Sequence, residues 1–333
     1  MSEALATEKP ARSRRQISQE QVGLLVIVLL FAVFSVTLDG FLSGENILNL
    51  ARSVAALGVF SVGMAVVVIA RGMDLSIIAS MGVGTALTLQ MLGAGAAAPV
   101  ALLLGLALVV VVGIFNGFLV AFVEVPALFA TLASGLFVYG LARTFLLDGL
   151  IAELPSDAGF IRWLGQGDAA GIPTPVIVFV IVAAVIQLFL TRTRLGKFVY
   201  AHGDNAAAAR LTGIATRPFT IFEYVLSGVI GYVGGIVIAG SVGGFNTQVI
   251  SGSLIYDVLL VVVVGGISLV GGRGSIFSVV IGTTLIGVML NGMTILDLNT
   301  HQRDIVKGLI LLAALVLDNR LHRRDEETVR QGD

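Results

Sequence analysis

The sequence predicts an all-α membrane protein of about ten transmembrane helices with both termini in the cytoplasm, and three observations predict it. Apolar residues make up 56% of the 333-residue chain before its 41 glycines are counted, and charged residues only 12%, about half the share of a soluble domain. Apolar runs long enough to cross a bilayer recur from end to end. Lys and Arg fall unevenly among the segments that join those runs. A soluble globule of this size could not cover itself with so few polar residues. The net charge of −1 without a basic field argues against a nucleic-acid partner. The absence of Cys excludes disulfides, thiolate metal sites and a Cys nucleophile.

In chain order the candidate spans are 22–38, 54–70, 77–95, 100–123, 127–147, 176–190, 219–242, 254–270, 275–296 and 305–318. They divide the chain into a cytoplasmic tail 1–21, a membrane domain 22–318 and a second cytoplasmic tail 319–333. The first run is too long for a signal-peptide core, lacks a small-x-small cleavage site and precedes nine more spans, so it is expected to stay in the protein. With the N-terminus inside, fifteen Lys and Arg fall on cytoplasmic segments, among them Arg71, Arg273 and five in the 191–218 loop. Five fall outside: Arg52, Arg143, Arg162, Arg303 and Lys307. Shifting the parity by one span would put the 191–218 loop or the C-terminal tail outside, against the rule.

Two connecting loops are long enough to hold structure. The outer loop 148–175 reads as either a solvated connector or a small folded element. In the inner loop, Asn205 offers an N-cap, Ala206–Ala209 with Arg210 and Leu211 propagates a short helix, and Gly213 can end it. Such a helix could dock a soluble partner or lie in the lipid interface, where its small Ala side chains would insert weakly.

A polar side chain inside a span is costly, so each is a functional candidate. Arg71 and Asp74 stand three apart in Arg71-Gly72-Met73-Asp74-Leu75-Ser76, close enough to neutralise each other. Gly72 permits a break of the kind that lines cavities, though a short cytoplasmic turn would read the same way. Asn116 sits between Gly113 and Gly117, where close helix packing and an interhelical amide bond go together. Gly231 and Gly235 form a second close-packing pair. Thr131 lies one turn into the span opened by Pro126, and Asn291 is an amide within an apolar run. Asp74, Asn116, Thr131 and Asn291 are therefore the candidates for a translocation pathway. Amides and hydroxyls, with no membrane-depth carboxylate beyond Asp74, suit a neutral polar solute better than an ion path.

No Gly-x-x-x-x-Gly-Lys-[Ser/Thr] loop is present, and Gly271-Gly272-Arg273-Gly274 lacks the Lys that would hold a phosphate. His202, His301 and His322 have no metal-ligand spacing. Nothing points to a catalytic constellation, a metal or a cofactor, so an enzyme is disfavoured. A faint echo between Val66–Leu75 and Val261–Leu269, each an apolar run ending in a Gly-containing turn, falls short of a repeat.

In order, these motifs resemble the ribose-type permease subunits of bacterial ATP-binding-cassette sugar importers, over about residues 20–319. The Gly-x-Asp-Leu-Ser motif is matched at Gly72–Ser76, the Asn-Gly segment at Asn116-Gly117, and the Pro-x-Phe-x-Ala-Thr-Leu segment resembles Pro126–Leu132. The cytoplasmic signature runs from Thr193-Arg194-Leu195-Gly196-Lys197 through Gly203-Asp204-Asn205 and Ala207-Ala208 to Thr212-Gly213-Ile214. The Gly-Gly-x-Ser-Leu-x-Gly-Gly-x-Gly block is complete at Gly265–Gly274, and Asp318-Asn319 closes the pattern. One position departs: Ile255 stands where members usually have Glu, before the retained Asp257, which bears on sugar specificity and the contact with a binding protein.

The resemblance implies a subunit of the bacterial plasma (inner) membrane, paired with a second copy or a paralogous permease. It also implies two cytoplasmic ATP-binding-cassette domains and an extracytoplasmic solute-binding protein. The helix 205–211 would then be the coupling helix, with Asn205, Ala207, Ala208, Arg210 and Gly213 as its key positions. Alternatives are a related importer of nucleosides, branched-chain amino acids or another polar solute, and, from a different class, a stand-alone secondary transporter, a channel or a structural scaffold.

Overall fold

The computed structural model describes residues 19–321, so the two tails lie almost wholly outside the described residues. The described residues are mostly helical. Its longer helices are α1 (Gln19–Thr37), α2 (Gly44–Ile69), α3 (Ile77–Gly93), α4 (Ala98–Ala121) and α5 (Ala127–Phe145), followed by α7 (Thr174–Arg192), α10 (Thr216–Val242), α11 (Leu254–Gly265), α12 (Ile276–Ile295) and α13 (Thr300–Leu321). Seven of them, α1, α2, α4, α5, α7, α10 and α12, are long and apolar enough to cross a membrane, and α3 and α11 are shorter apolar helices. Each predicted span falls on one helix. The boundaries differ where polar residues continue a helix: α2 starts ten residues early because Ser43 caps it through Asn46 N (3.3 Å), and α13 starts at Thr300. At the other extreme, α11 stops at Gly265, because Gly266 turns the chain at φ 98°.

The core is centred on α2, packed between α10 and α12, whereas α1 leaves most of its apolar surface outward. The sequence dictates how closely these helices approach. Gly113 and Gly117 on α4 face α10, where a Cβ at Gly113 would stand 2.7 Å from Val225 Cα and one at Gly117 would collide with Ile221. A side chain there would push the two axes apart.

The loop 148–175 is a folded element. β1 (Ile151–Glu153) pairs antiparallel with β4 (Gly244–Asn246), with Ala152 opposite Phe245. The helix α6 (Gly159–Gln166) packs its Gly165 against Gly240 and Ser241 at the end of α10, and the Ser241 hydroxyl donates to Gly165 O (3.0 Å). A two-residue ribbon, β2 (Asp168–Ala169) with β3 (Ile172–Pro173), leads into α7. At the opposite end lie α8 (Arg194–Asp204) and the six-residue α9 (Ala206–Leu211).

Candidate functional site

Between α2 and α3 the chain leaves the helix for the residues the sequence singled out. Arg71 takes a left-handed conformation (φ 68°), Gly72 N donates back to Val67 O (2.8 Å), and Met73–Ser76 run without helical bonds of their own until α3 begins. Backbone freed in this way needs partners from elsewhere. Thr131 on α5 supplies one: its hydroxyl accepts from Leu75 N (3.0 Å), donates to Ala127 O (2.8 Å) and lies 3.2 Å from Met73 O. Tyr224 on α10 donates its hydroxyl to Met73 O (3.3 Å).

Asp74 is the centre of the site. Its carboxylate accepts from Ser76 N (3.1 Å) and the Ser76 hydroxyl (2.7 Å) on one oxygen, and from the Ser227 hydroxyl of α10 (2.9 Å) on the other. Asn116 of α4 donates its amide to Ser76 Oγ (2.7 Å), which extends the chain of bonds to a fourth helix. The expected neutralisation by Arg71 is corrected: among the described residues no ion pair joins the two, because the left-handed turn at Arg71 sends its side chain outward while Asp74 is buried. Hydroxyls and an amide hold the carboxylate instead.

Three of the four pathway candidates, Asp74, Asn116 and Thr131, therefore meet around one break. Two cavities flank it. One of about 440 Å³ is bounded by Arg71, Gly72, His202, Arg210 and Glu223. The other, of about 490 Å³, is walled by Met73 and Leu75 on one side and Ile255 and Tyr256 on the other. The three polar side chains line neither cavity; Met73 and Leu75, whose backbone Thr131 holds, line the second. Ile255, the residue that departs from the family pattern, forms part of the second wall.

Asn291 is elsewhere. On α12 it exchanges amide hydrogen bonds with Asn46 of α2, at 2.8 and 3.1 Å, and borders a third cavity, of about 640 Å³, at the opposite end of the bundle.

The docking candidates fold as the local sequence directs. Asn205 Oδ1 accepts from Ala208 N (3.0 Å), Gly213 turns the chain at φ 87°, and Arg210 Nε donates to Thr216 Oγ1 (2.8 Å), tying α9 to the start of α10. Ala207 and Ala208 are exposed, and Leu211 is 90% exposed. Beneath this face, α8 is seated on both interhelical breaks. A Cβ at Gly203 would collide with Ile69 O and stand 2.6 Å from Gly272 N, Gly272 N donates to Ile69 O (2.8 Å), and the Tyr200 hydroxyl donates to Gly274 O (2.9 Å). His202 Nδ1 lies 3.2 Å from Glu223 Oε1 on α10.

Two further buried carboxylates correct the expectation that Asp74 stands alone. Glu223 sits in α10 beside His202, and Asp257 in α11 pairs with Lys307 of α13 at 2.8 Å. Glu223 was visible as a charge inside span 219–242. Lys307 is a buried helix residue rather than part of an outer loop, because α13 starts at Thr300. Ser227 carried no signal beyond being a hydroxyl in an apolar run.

Residues 46–315 match the family described as branched-chain amino acid transport system / permease component. The chain belongs to this permease family. Among its relatives are the ribose import permease proteins of Escherichia coli, 31% identical over 90% of this chain and 94% of that one, and of Bacillus subtilis, 32% identical over 96% and 98%. The galactofuranose transporter permease protein of Escherichia coli is 32% identical over 90% of this chain and 88% of its own. The resemblance carried by the Gly72–Ser76 and Gly265–Gly274 motifs is thus a family membership, and the site just described sits in the matched region of a multi-pass membrane permease.

Proposed function

We propose that the chain is the membrane-spanning subunit of an ATP-driven importer for a sugar or similar small polar solute. The observation that carries this is the family match over 46–315, with near-full-length similarity to permeases named for ribose and galactofuranose. The subunit crosses the bacterial inner membrane ten times with both termini cytoplasmic. It pairs with a second copy or a paralogue, receives solute from a binding protein, and takes its power from two ATP-binding-cassette domains on other chains. It needs no cofactor or metal of its own.

In this reading the unwound backbone Met73–Leu75 forms part of the pathway wall, and Asp74, Asn116 and Thr131 hold it in shape. For Asn291 the geometry favours a brace between α2 and α12. The exposed face of Ala207, Ala208 and Leu211 receives the ATPase, with Asn205, Arg210 and Gly213 fixing the helix that presents it. Closure of the ATPase then pushes α8 against the ends of α2 and the α11–α12 turn. Contact through a rigid junction favours this over a flexible tether.

The test is uptake in vesicles holding the chain with its co-encoded ATPase and binding protein, against labelled sugars, nucleosides and branched-chain amino acids. ATP-dependent uptake of a sugar alone is expected. Uptake without the ATPase would favour a stand-alone transporter, and uptake of branched-chain amino acids alone would move the solute class.

A further inference from the structure

The third cavity, bounded by α2, α10, α11, α12 and α13 at the end of the bundle opposite α8, holds a charge imbalance that the transport reading does not use. Lys307 is satisfied: its ammonium lies 2.8 Å from Asp257 Oδ1, 3.0 Å from Ser253 Oγ and 3.8 Å from Asp304 Oδ1. Asn46 and Asn291 satisfy each other. Arg303 gives its Nε to Leu298 O (2.7 Å) and has no carboxylate partner among the described residues. Arg52, two turns into α2, has neither: its Nε is sealed from solvent without a hydrogen-bond partner, and no ion pair reaches it among the described residues.

We propose that this cavity binds one oxyanion, a phosphate or phosphodiester group, with Arg52 as its principal ligand and Arg303 as a second cation. Arg52 is half-buried, and an Nε sealed from water without a partner is costly unless an anion in the cavity faces the guanidinium. Its planar fork of N–H donors matches the paired oxygens of a phosphate group. A volume of about 640 Å³ is ample for a phosphate or a phospholipid headgroup. The carboxylates of Asp257 and Asp304 do not supply the counterion, because both are turned toward Lys307. The two sources, a phospholipid headgroup and free phosphate, share this chemistry.

The experiment uses the purified full-length chain. Native mass spectrometry compares retention of phosphatidylglycerol with phosphatidylcholine, and equilibrium dialysis measures inorganic phosphate. One anion per chain is expected, held as phosphatidylglycerol if the lipid is the source and as phosphate if it is not. Arg52→Gln, which strands no partner, should weaken that binding at least tenfold. Ala56→Phe fills the cavity without changing its charge and should do the same, so it decides the matter if Arg52→Gln fails to fold. Retention of neither anion by the wild-type chain, or undiminished binding in both variants, would overturn the proposal.

Discussion

The α2–α3 break and the α11–α12 turn lie side by side at one end of the bundle, joined by the bond from Gly272 N to Ile69 O, yet they are built in opposite ways. The α11–α12 turn is held largely by its own backbone, with single bonds from Tyr200 and to Ile69 outside it. Gly266, Gly271, Gly272 and Gly274 take φ of 98°, 89°, 70° and 135°, Ile267 N returns to Val262 O, and Ser268 N reaches across to Arg273 O. The α2–α3 break is held from outside, by hydroxyl and amide groups on α4, α5 and α10. A turn closed by bonds between its own residues depends little on where the neighbouring helices sit. A break clamped by three other helices must change when they shift. We propose the first as a lever and the second as a gate, both within reach of α8.

The largest effect should come from removing the clamp's centre. Asp74→Ala deletes three hydrogen bonds to a buried carboxylate, and bonds to charged groups contribute about 1.5–3 kcal/mol each. Thermal denaturation of the full chain should show a loss of about 3 kcal/mol or more, together with loss of uptake. An unchanged melting temperature would break the comparison.

Next comes Gly272→Ala in the rigid turn. The left-handed backbone and a Cβ only 2.8 Å from Asp204 Cα should cost about 2 kcal/mol. Here stability and the seating of α8 should fail together, read as faster proteolysis of the 193–215 segment.

Asn116→Ala should cost only about 1 kcal/mol, because it removes one donor to Ser76 while the amide oxygen already lacks a partner. If the break is a gate, uptake should fall by much more than this small change in stability. A proportionate loss would reduce Asn116 to packing.

The smallest effect on stability belongs to Ala207→Glu, on an exposed face, where surface changes stay within about 0.5 kcal/mol. ATPase activity and uptake measured in the same vesicles should nevertheless uncouple. Full coupled transport in this variant would remove α9 from the mechanism.

What the sequence determined by itself were local properties: that each long apolar run is a helix, which turns need glycine, and that Asn205 caps a short helix ended by Gly213. Run length, capping and φ preference act within a few residues, so they can be read along the chain. The membrane class follows from composition in the same way. The tertiary structure alone decided which groups answer the freed backbone and the buried charges. Asp74 looked closest to Arg71 in sequence but is held by Ser227, 153 positions away, and Asn291 found Asn46 at a separation of 245. A polar group inside a membrane protein must be satisfied by whatever helix packs against it, and that neighbour is chosen by the packing of the whole bundle rather than by the residues beside it in the chain.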